Sequence, residues 1–599
     1  MILTPALTFA QDKDKGLDEK INEAFKPVAD KIGEIVFYSI PLKKDRKVSV
    51  KIIDNTIHKD TVLTLTRPWE FKYHFDKSHA YTIKTILPDD SGTEFIKEVP
   101  VNEDGQKILD EVSAKISSYD IKLPIILIIL ILSALYFTFY FKFVNVKDFL
   151  LSIKVTRGTF DEIDADAPPV HTDDYLIGTK EGDILKTEKI EEHIGEVSHF
   201  QALTAALSAT VGLGNIAGVA IAIGLGGPGA TFWMVLAGLL GMSTKFVECT
   251  LGVKYRDIEP DGTVHGGPMY YLKKGFAKRN KKNFGKFLAI FFAIMTIGGS
   301  FGGGNMFQAN QAARQFIGLI SWEAGYAGFV FGLIVAILVA LVIIGGIKRI
   351  GSVTSKIVPI MAIVYVGAAL IIIFVNYDKI DDAISLIFSE AFGSKAIAGG
   401  IIGVMIQGIR RAVFSNEAGV GSTAIAHSAV KTRFPVSEGL VAMVGPFVDT
   451  VIICTMTALV IIITGYYVQQ PGDTGEGVRL TSMAFDSAIP GFKYVLTIAV
   501  ILFAFSTMIS WSYYGLQAWK FLFGRDKVMD LTYKIIFLMF TVIGASASLG
   551  AVVDFSDAMI FAMVFPNMIG LVVMAPEVKQ EYNRYIKAIK EFYSAKKRA

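Results

Sequence analysis
Thiols are almost absent: Cys249 and Cys454 are the two cysteines in 599 residues, and they stand in separate apolar runs. That excludes a disulfide framework and a cysteine-built zinc site. Charge is scarce as well, at 19% of residues, and nearly balanced, with a formal net of +3. A balance so close to neutral gives no reason to expect a nucleic-acid partner. No His-Glu-x-x-His stands in the apolar runs, so the usual signature of a zinc hydrolase is missing. His193, Glu196 and His199 only imitate a metal cluster, because they lie in a polar segment. An enzyme is not expected, and neither is a cofactor.

Apolar residues are what the chain has in excess. They make up 52% of it, the mean hydropathy is +0.46, and apolar runs of about eighteen residues or more recur. The expected class is an all-α polytopic membrane protein, with the lipid bilayer as its main partner. The first ten residues end in Thr8-Phe9-Ala10 and resemble the end of a secretory signal peptide without its basic start. Residues 11–120 read as an extracytoplasmic region. An amphipathic pattern from Gly16 to Tyr38 carries Ile21, Phe25, Val28, Ile32, Ile35 and Val36, and it predicts a helix along the outer membrane surface. Period-two segments at Lys47–Ile53, Thr61–Leu65, Tyr81–Ile86 and Glu94–Val99 predict a small β-sandwich-like domain.

Residues 121–198 hold a first span at about Leu123–Phe141 and an acidic stretch at 159–195. Ten more candidate spans follow, at 200–224, 228–252, 286–318, 325–347, 352–376, 395–415, 436–466, 493–520, 530–550 and 556–576, which makes eleven. Lys and Arg crowd alternate loops: Lys142 to Arg157, Lys254 to Lys286, Lys348 to Lys356, Arg410 to Arg433, Lys520 to Lys527, and the tail from Lys579. By the positive-inside rule those loops are cytoplasmic. The N-terminal domain is then outside, and the basic tail at 577–599 lies inside. The ten core spans divide at 199–376 and 377–576 into two fives of opposite orientation. That is the inverted-repeat plan of secondary transporters, whose binding site lies where the first helix of each half is broken.

Both first helices read as broken. Ser208-Ala-Thr-Val-Gly-Leu-Gly-Asn-Ile-Ala-Gly218 puts three glycines in seven residues, each weakening a helix by roughly 1 kcal/mol relative to alanine. In the second half, Gly399-Gly400, Gly403 and Gln407 to Arg411 interrupt the run ahead of Phe414-Ser-Asn-Glu-Ala-Gly-Val-Gly421. A broken helix offers N–H groups on one side and C=O groups on the other, favouring an anion and a cation respectively. A zwitterion of amino-acid size meets both demands, with its carboxylate at the backbone of Leu213 and Gly214.

These segments, together with Gly266-Gly-Pro-Met-Tyr-Tyr-Leu272, Gly303-Gly-Asn-Met-Phe-Gln-Ala-Asn-Gln311, Pro446-Phe-Val-Asp-Thr450, Cys454-Thr-Met-Thr-Ala458 and Phe503-Ala-Phe-Ser-Thr507, resemble the alanine or glycine:cation symporter family over about residues 123–580. The resemblance implies a LeuT-type 5+5 inverted repeat, with one extra N-terminal span in this chain. It also implies cation-coupled uptake of small amino acids such as alanine and glycine across the cell membrane. Thr210, Leu213, Gly214, Asn215, Gln308, Gly408 and Thr507 would then line the substrate site, with Trp511, Ile509 and Met405 as its bulky cap. Carbonyls of Ser208, Val211 and Phe503 with hydroxyls of Ser506 and Thr507 would hold Na⁺, an all-oxygen set suited to a hard cation. The β-like segment and the acidic stretch depart from the family pattern.

Charges inside a membrane are costly and usually functional. Arg410, Arg411 and Glu417 read as a cytoplasmic gate network or as anchors, Glu248 as a partner of Lys245, and Asp449 as a partner of one of the arginines. A channel would show a filter or ring signature, and two broken helices argue against it. H⁺ in place of Na⁺, or a sensor built on a transporter core, are the alternatives.

Overall fold
The computed structural model describes residues 16–37, the strands between 39 and 99, residues 122–166, and 195–598 apart from 261, 323, 393–399 and 469–476. The signal-like residues 1–10, most of the acidic stretch, and Gly399 lie outside the described residues.

Without water, a main chain in a membrane must satisfy its own polar groups, so the apolar runs become helices. The labelled helices are α1 (Leu17–Val36), α2 (Ile125–Tyr140), α3 (His199–Thr210), α4 (Val219–Gly226), α5 (Ala230–Lys254), α6 (Lys282–Phe301), α7 (Phe307–Ile320), α8 (Ala327–Ile343) and α9 (Gly346–Val375). They continue with α10 (Gly400–Asn416), α11 (Thr423–His427), α12 (Pro435–Pro446), α13 (Thr455–Ile463), α14 (Phe492–Phe523), α15 (Lys527–Ser546) and α16 (Leu549–Arg598). Among the described residues seven helical stretches are long and apolar enough to cross a membrane, or eight if α3 and the helix after its break count as one span. The helices α2 and α8 are apolar but shorter.

The alternating segments are strands. Val48–Asp54 (β2), Lys59–Leu65 (β3), Tyr81–Ile86 (β4) and Ile96–Val99 (β5) form one antiparallel sheet in the order β3-β2-β4-β5. Leu63 and Thr85 flank Val50 in its register. A single sheet is described, where a sandwich was expected. A short ladder between Ser39–Pro41 (β1) and Lys122–Pro124 (β6) closes the ends of this region, with Ile40 opposite Leu123. β1 follows α1 and β6 leads straight into α2, so the region is tied to the helices at both ends.

The bundle has two distinct ends. At the basic end, Lys254 reaches Glu581 at 2.9 Å and Arg279 reaches Glu577 at 2.6 Å. These contacts anchor the continuation of α16 beneath α5. There too, buried Glu438 of α12 takes His199 of α3 on one carboxylate oxygen and His427 of α11 on the other. At the opposite end α1 lies across the bundle. Its Phe25, Ala29, Ile32 and Val36 face the core, a spacing of three to four residues that keeps them on one side of a helix.

Candidate functional site
The first helix breaks as its glycines predict. The α3 axis and that of the helix resuming at Gly214 meet at 51°. The resumed segment, Gly214–Gly218, is π-helical, as are Gly302–Met306 between α6 and α7 and Phe447–Cys454 between α12 and α13. π turns cluster at functional sites because they free main-chain groups and re-aim side chains. In the second half, the opening falls at Glu417–Ser422, later than the expected glycines. Glu417 (φ 56°), Gly419 (φ 88°) and Gly421 (φ 93°) are left-handed there, so α10 runs intact through Gly403, Gly408 and both arginines.

Between the two breaks lies a small cleft walled by Thr210, Gly214, Gln308, Phe414, Glu417 and Trp511, among others. The Leu213 N–H donates to Gln308 Oε1 at 3.1 Å, and Gln308 Nε2 donates to the Gly303 carbonyl at 2.9 Å. One glutamine thereby joins two breaks. Asn215 is fully buried. It accepts from the Gly212 N–H at 2.9 Å and donates to Asp449 Oδ1 at 2.6 Å. Ser415 and Thr450 also donate to Asp449, each at 2.8 Å. Trp511 Nε1 donates to Glu417 Oε1 at 2.9 Å, while Ser422 and Thr423 donate to the other oxygen. A Cβ on Gly304 would stand 2.3 Å from Trp511 Cγ, so only glycine lets that ring in.

Oxygens gather beside the cleft. Thr507 Oγ1 donates to the Ser208 carbonyl at 3.0 Å, and Ser208 Oγ to the Ser506 carbonyl at 2.8 Å. Ser506 Oγ donates to the Phe503 carbonyl at 3.0 Å, and Ser510 Oγ to Ser208 Oγ at 2.9 Å. Ser208, Phe503, Ser506 and Thr507 are thus brought together, and Ser510 joins them. All are neutral oxygen donors of the kind a hard monovalent cation takes. The Val211 N–H bonds Leu207, and its carbonyl has no described contact with this group.

Several expected residues lie elsewhere. Met405 lines a separate apolar cavity with Leu130 of α2 and Trp233 of α5. Positions 405 and 414 are nine residues apart, two and a half helical turns, and so face opposite ways. Gly408 packs on α5, where a Cβ would stand 2.5 Å from the Ala230 carbonyl. Ile509 is buried between Thr507 and Trp511 in sequence, but those two share a face four residues apart and Ile509 does not.

The arginines and Asp449 pair differently from expectation, while Glu248 does feel the Lys245 charge. Both Arg410 and Arg411 converge on Asp557 of α16, Arg410 Nε at 2.8 Å. They do so beneath Phe37, at the α1 end of the bundle, not in a basic loop. Asp449 has hydrogen bonds and no ion pair with either. Glu248 accepts from Asn567 at 2.8 Å, and Lys245 donates to Thr423. Gly298-Gly-Ser-Phe-Gly302 spells Gly-x-Ser-x-Gly inside a span. Ser300 is no nucleophile, however: its hydroxyl bonds the Ile297 carbonyl and Tyr533. Sequence reasoning quoted Gly303 and Phe414 only within motifs, without a role, and passed over Ile560, Ser510 and Asp557. Gly302-Gly303-Gly304 was the one local signal, repeating the glycine-rich weakness of the first break.

A cleft between broken helices inside an apolar helical bundle is the arrangement of a membrane carrier. Residues 180–599 match the model of the sodium:alanine symporter family, and the chain belongs to that family: it is a multi-pass membrane transporter and not an enzyme. The sodium/alanine symporter AgcS of Methanococcus maripaludis is 43% identical over 389 residues, 65% of this chain and 84% of its own. The probable sodium/glutamine symporter GlnT of Bacillus subtilis is 34% identical over 473 residues, 78% of this chain and 89% of its own. The putative sodium/proton-dependent alanine carrier YrbD of the same organism is 37% identical over 393 residues, 63% and 79%. The solved structure of MhsT with L-phenylalanine aligns over 65% of this chain and 99% of its own at 15% identity. Its TM-score is 0.43.

Proposed function
We propose that the chain imports alanine, glycine or a similar small amino acid together with Na⁺ by alternating access. In this reading the core is a LeuT-type inverted repeat of five plus five spans, and α2 is an eleventh. The carrying observation is the cleft whose lining includes Gly214, at the first break, and Glu417, at the second. The substrate carboxylate takes the N–H end and its ammonium the Glu417 end, which fixes a zwitterion at both poles. Phe414, Trp511 and Ile560 crowd the remaining wall, which favours a hydrogen or methyl side chain. The Ser208, Phe503, Ser506 and Thr507 oxygens support Na⁺ as the coupling ion. A specific feature keeps H⁺ as a second reading: the Asp449 carboxylate is fully buried and held by hydrogen-bond donors alone. The basic end is assigned to the cytoplasm by the positive-inside rule, and the α1 end with its sheet to the outside.

Uptake of labelled alanine and glycine into proteoliposomes, under an inward Na⁺ gradient, an inward H⁺ gradient or neither, tests this. Accumulation driven by Na⁺ alone is the expected result; accumulation with H⁺ alone would transfer the coupling role to Asp449. Thr507→Val removes one oxygen and keeps the shape. It is expected to raise the Na⁺ concentration for half-maximal uptake roughly tenfold, the worth of one hydrogen-bonding oxygen next to a charge. An unchanged Na⁺ dependence would take Thr507 out of the cation site.

A further inference from the structure
The helix α1 lies outside residues 180–599, the stretch that matches the family, yet it is bound to the core along its whole length. At its start Asp18 accepts from the Gly328 and Phe329 N–H groups at 3.1 and 3.2 Å, capping α8 from another part of the chain. Asn22 accepts from the Ser548 N–H at 2.9 Å, just ahead of α16. Phe25 meets Phe555 edge to face, with ring centres 5.3 Å apart. At its end Phe37 packs edge to face on Phe561 of α16 at 5.6 Å, and the Arg410 guanidinium of α10 sits 4.4 Å from the centre of the Phe37 ring. Phe37 therefore bridges the two helices that Arg410, Arg411 and Asp557 join. One turn deeper on those same helices, Phe414 and Ile560 wall the cleft.

We infer that α1 is a strap across the outer mouth: it clamps α10 against α16, and the carrier opens outward when Phe37 leaves Arg410. This rests on the alternating-access reading, in which the mouth must part at the Arg–Asp contact. The strap's far anchors, Asp18 and Asn22, sit on α8 and on the start of α16, while its near end holds α10. A single helix gripping both sides couples its seating to their separation.

Ser556 supplies a reporter. It is buried beside Asp557 and its hydroxyl has no partner among the described residues, so Ser556→Cys is a small change. Cys249 and Cys454 are buried and give the background. The experiment measures alkylation of Ser556→Cys by a membrane-impermeant maleimide in proteoliposomes, with Na⁺ alone and with Na⁺ plus alanine. Phe37→Ala is expected to speed alkylation about tenfold, from loss of the cation–π and ring contacts. Phe37→Trp should stay near the parent rate. Asp18→Ala should also speed it severalfold, although it lies roughly 28 Å away along the helix, because a strap fails at either end. A parent rate in Asp18→Ala would reduce Phe37 to local packing and overturn the strap, as would parent rates in both variants. Protection by alanine in the Ser556→Cys parent separates the two readings. If it is present, failure of the variants sinks the strap alone; if it is absent, alternating access fails and the strap with it.

Discussion
Asn215→Ala is expected to lower amino-acid uptake at least a hundredfold in a protein that still inserts and folds. The side chain is fully buried and works in two directions, accepting from Gly212 and donating to Asp449. Alanine leaves the Gly212 N–H with only its tight contact to the Thr210 carbonyl and strips the buried Asp449 Oδ1 of the Asn215 donor. An unmet buried group costs roughly 1–3 kcal/mol, more where it is charged, and about 1.4 kcal/mol is a factor of ten. The loss falls on the conformation of Val211–Gly214, which is the backbone offered to the substrate, while the helices on either side keep their own ladders. Binding of labelled alanine to detergent-purified protein, alongside a thermal melt, separates the effects. A near-parental melt with no measurable binding is the expected pair of results. Wild-type affinity would remove Asn215 from the site and return the glycine-rich turn to a helix-packing role.

That much of the site could be read from the sequence because its cause is local. Three glycines around Leu213 weaken a helix wherever they stand, and Asn215 beside them is able to serve the main chain they free. The strands were legible for the same reason: alternation is a property of neighbours, and the observed β4 has the expected bounds. What could not be read depends on distant partners. Positive-inside counting takes Arg410 and Arg411 for a loop edge, because nothing nearby discloses Asp557 on a helix 146 residues further on. With that carboxylate supplied, two arginines can sit inside a span. The second break shows the same limit. Gly403 and Gly408 look like weak points, yet Gly408 is there because Ala230 presses on it. The chain turns instead at Glu417, held left-handed while its carboxylate is tied by Trp511, Ser422 and Thr423. Met405 fell on the wrong face because naming a helix does not fix its rotation.

Asp557→Asn is expected to be the most damaging single charge change in the chain. Asp557 is fully buried, Arg411 nearly so at 2% exposure, and the one carboxylate serves both guanidiniums. An amide keeps the shape but leaves the buried Arg411 without its counter-charge, and breaking a buried pair costs about 3–5 kcal/mol. Uptake should be abolished and the melting temperature should fall by several degrees. The double variant Arg411→Met with Asp557→Leu discriminates between the reasons. Well-packed apolar replacements of a buried pair are often neutral or stabilising, so the melt should recover more than the single variant allows. Transport should not recover, because the ion pair that parts and rehydrates is gone, and Arg410, 23% exposed, keeps its contact with the Phe37 ring. The parent cluster has a reason to part toward water: Arg411 Nε and Nη1 and Asp557 Oδ1 lack hydrogen-bond partners among the described residues. Hydration on opening satisfies those groups and offsets part of the cost of separating the charges. If the double variant transports as well as the parent, the ion cluster is structural and the mouth opens elsewhere.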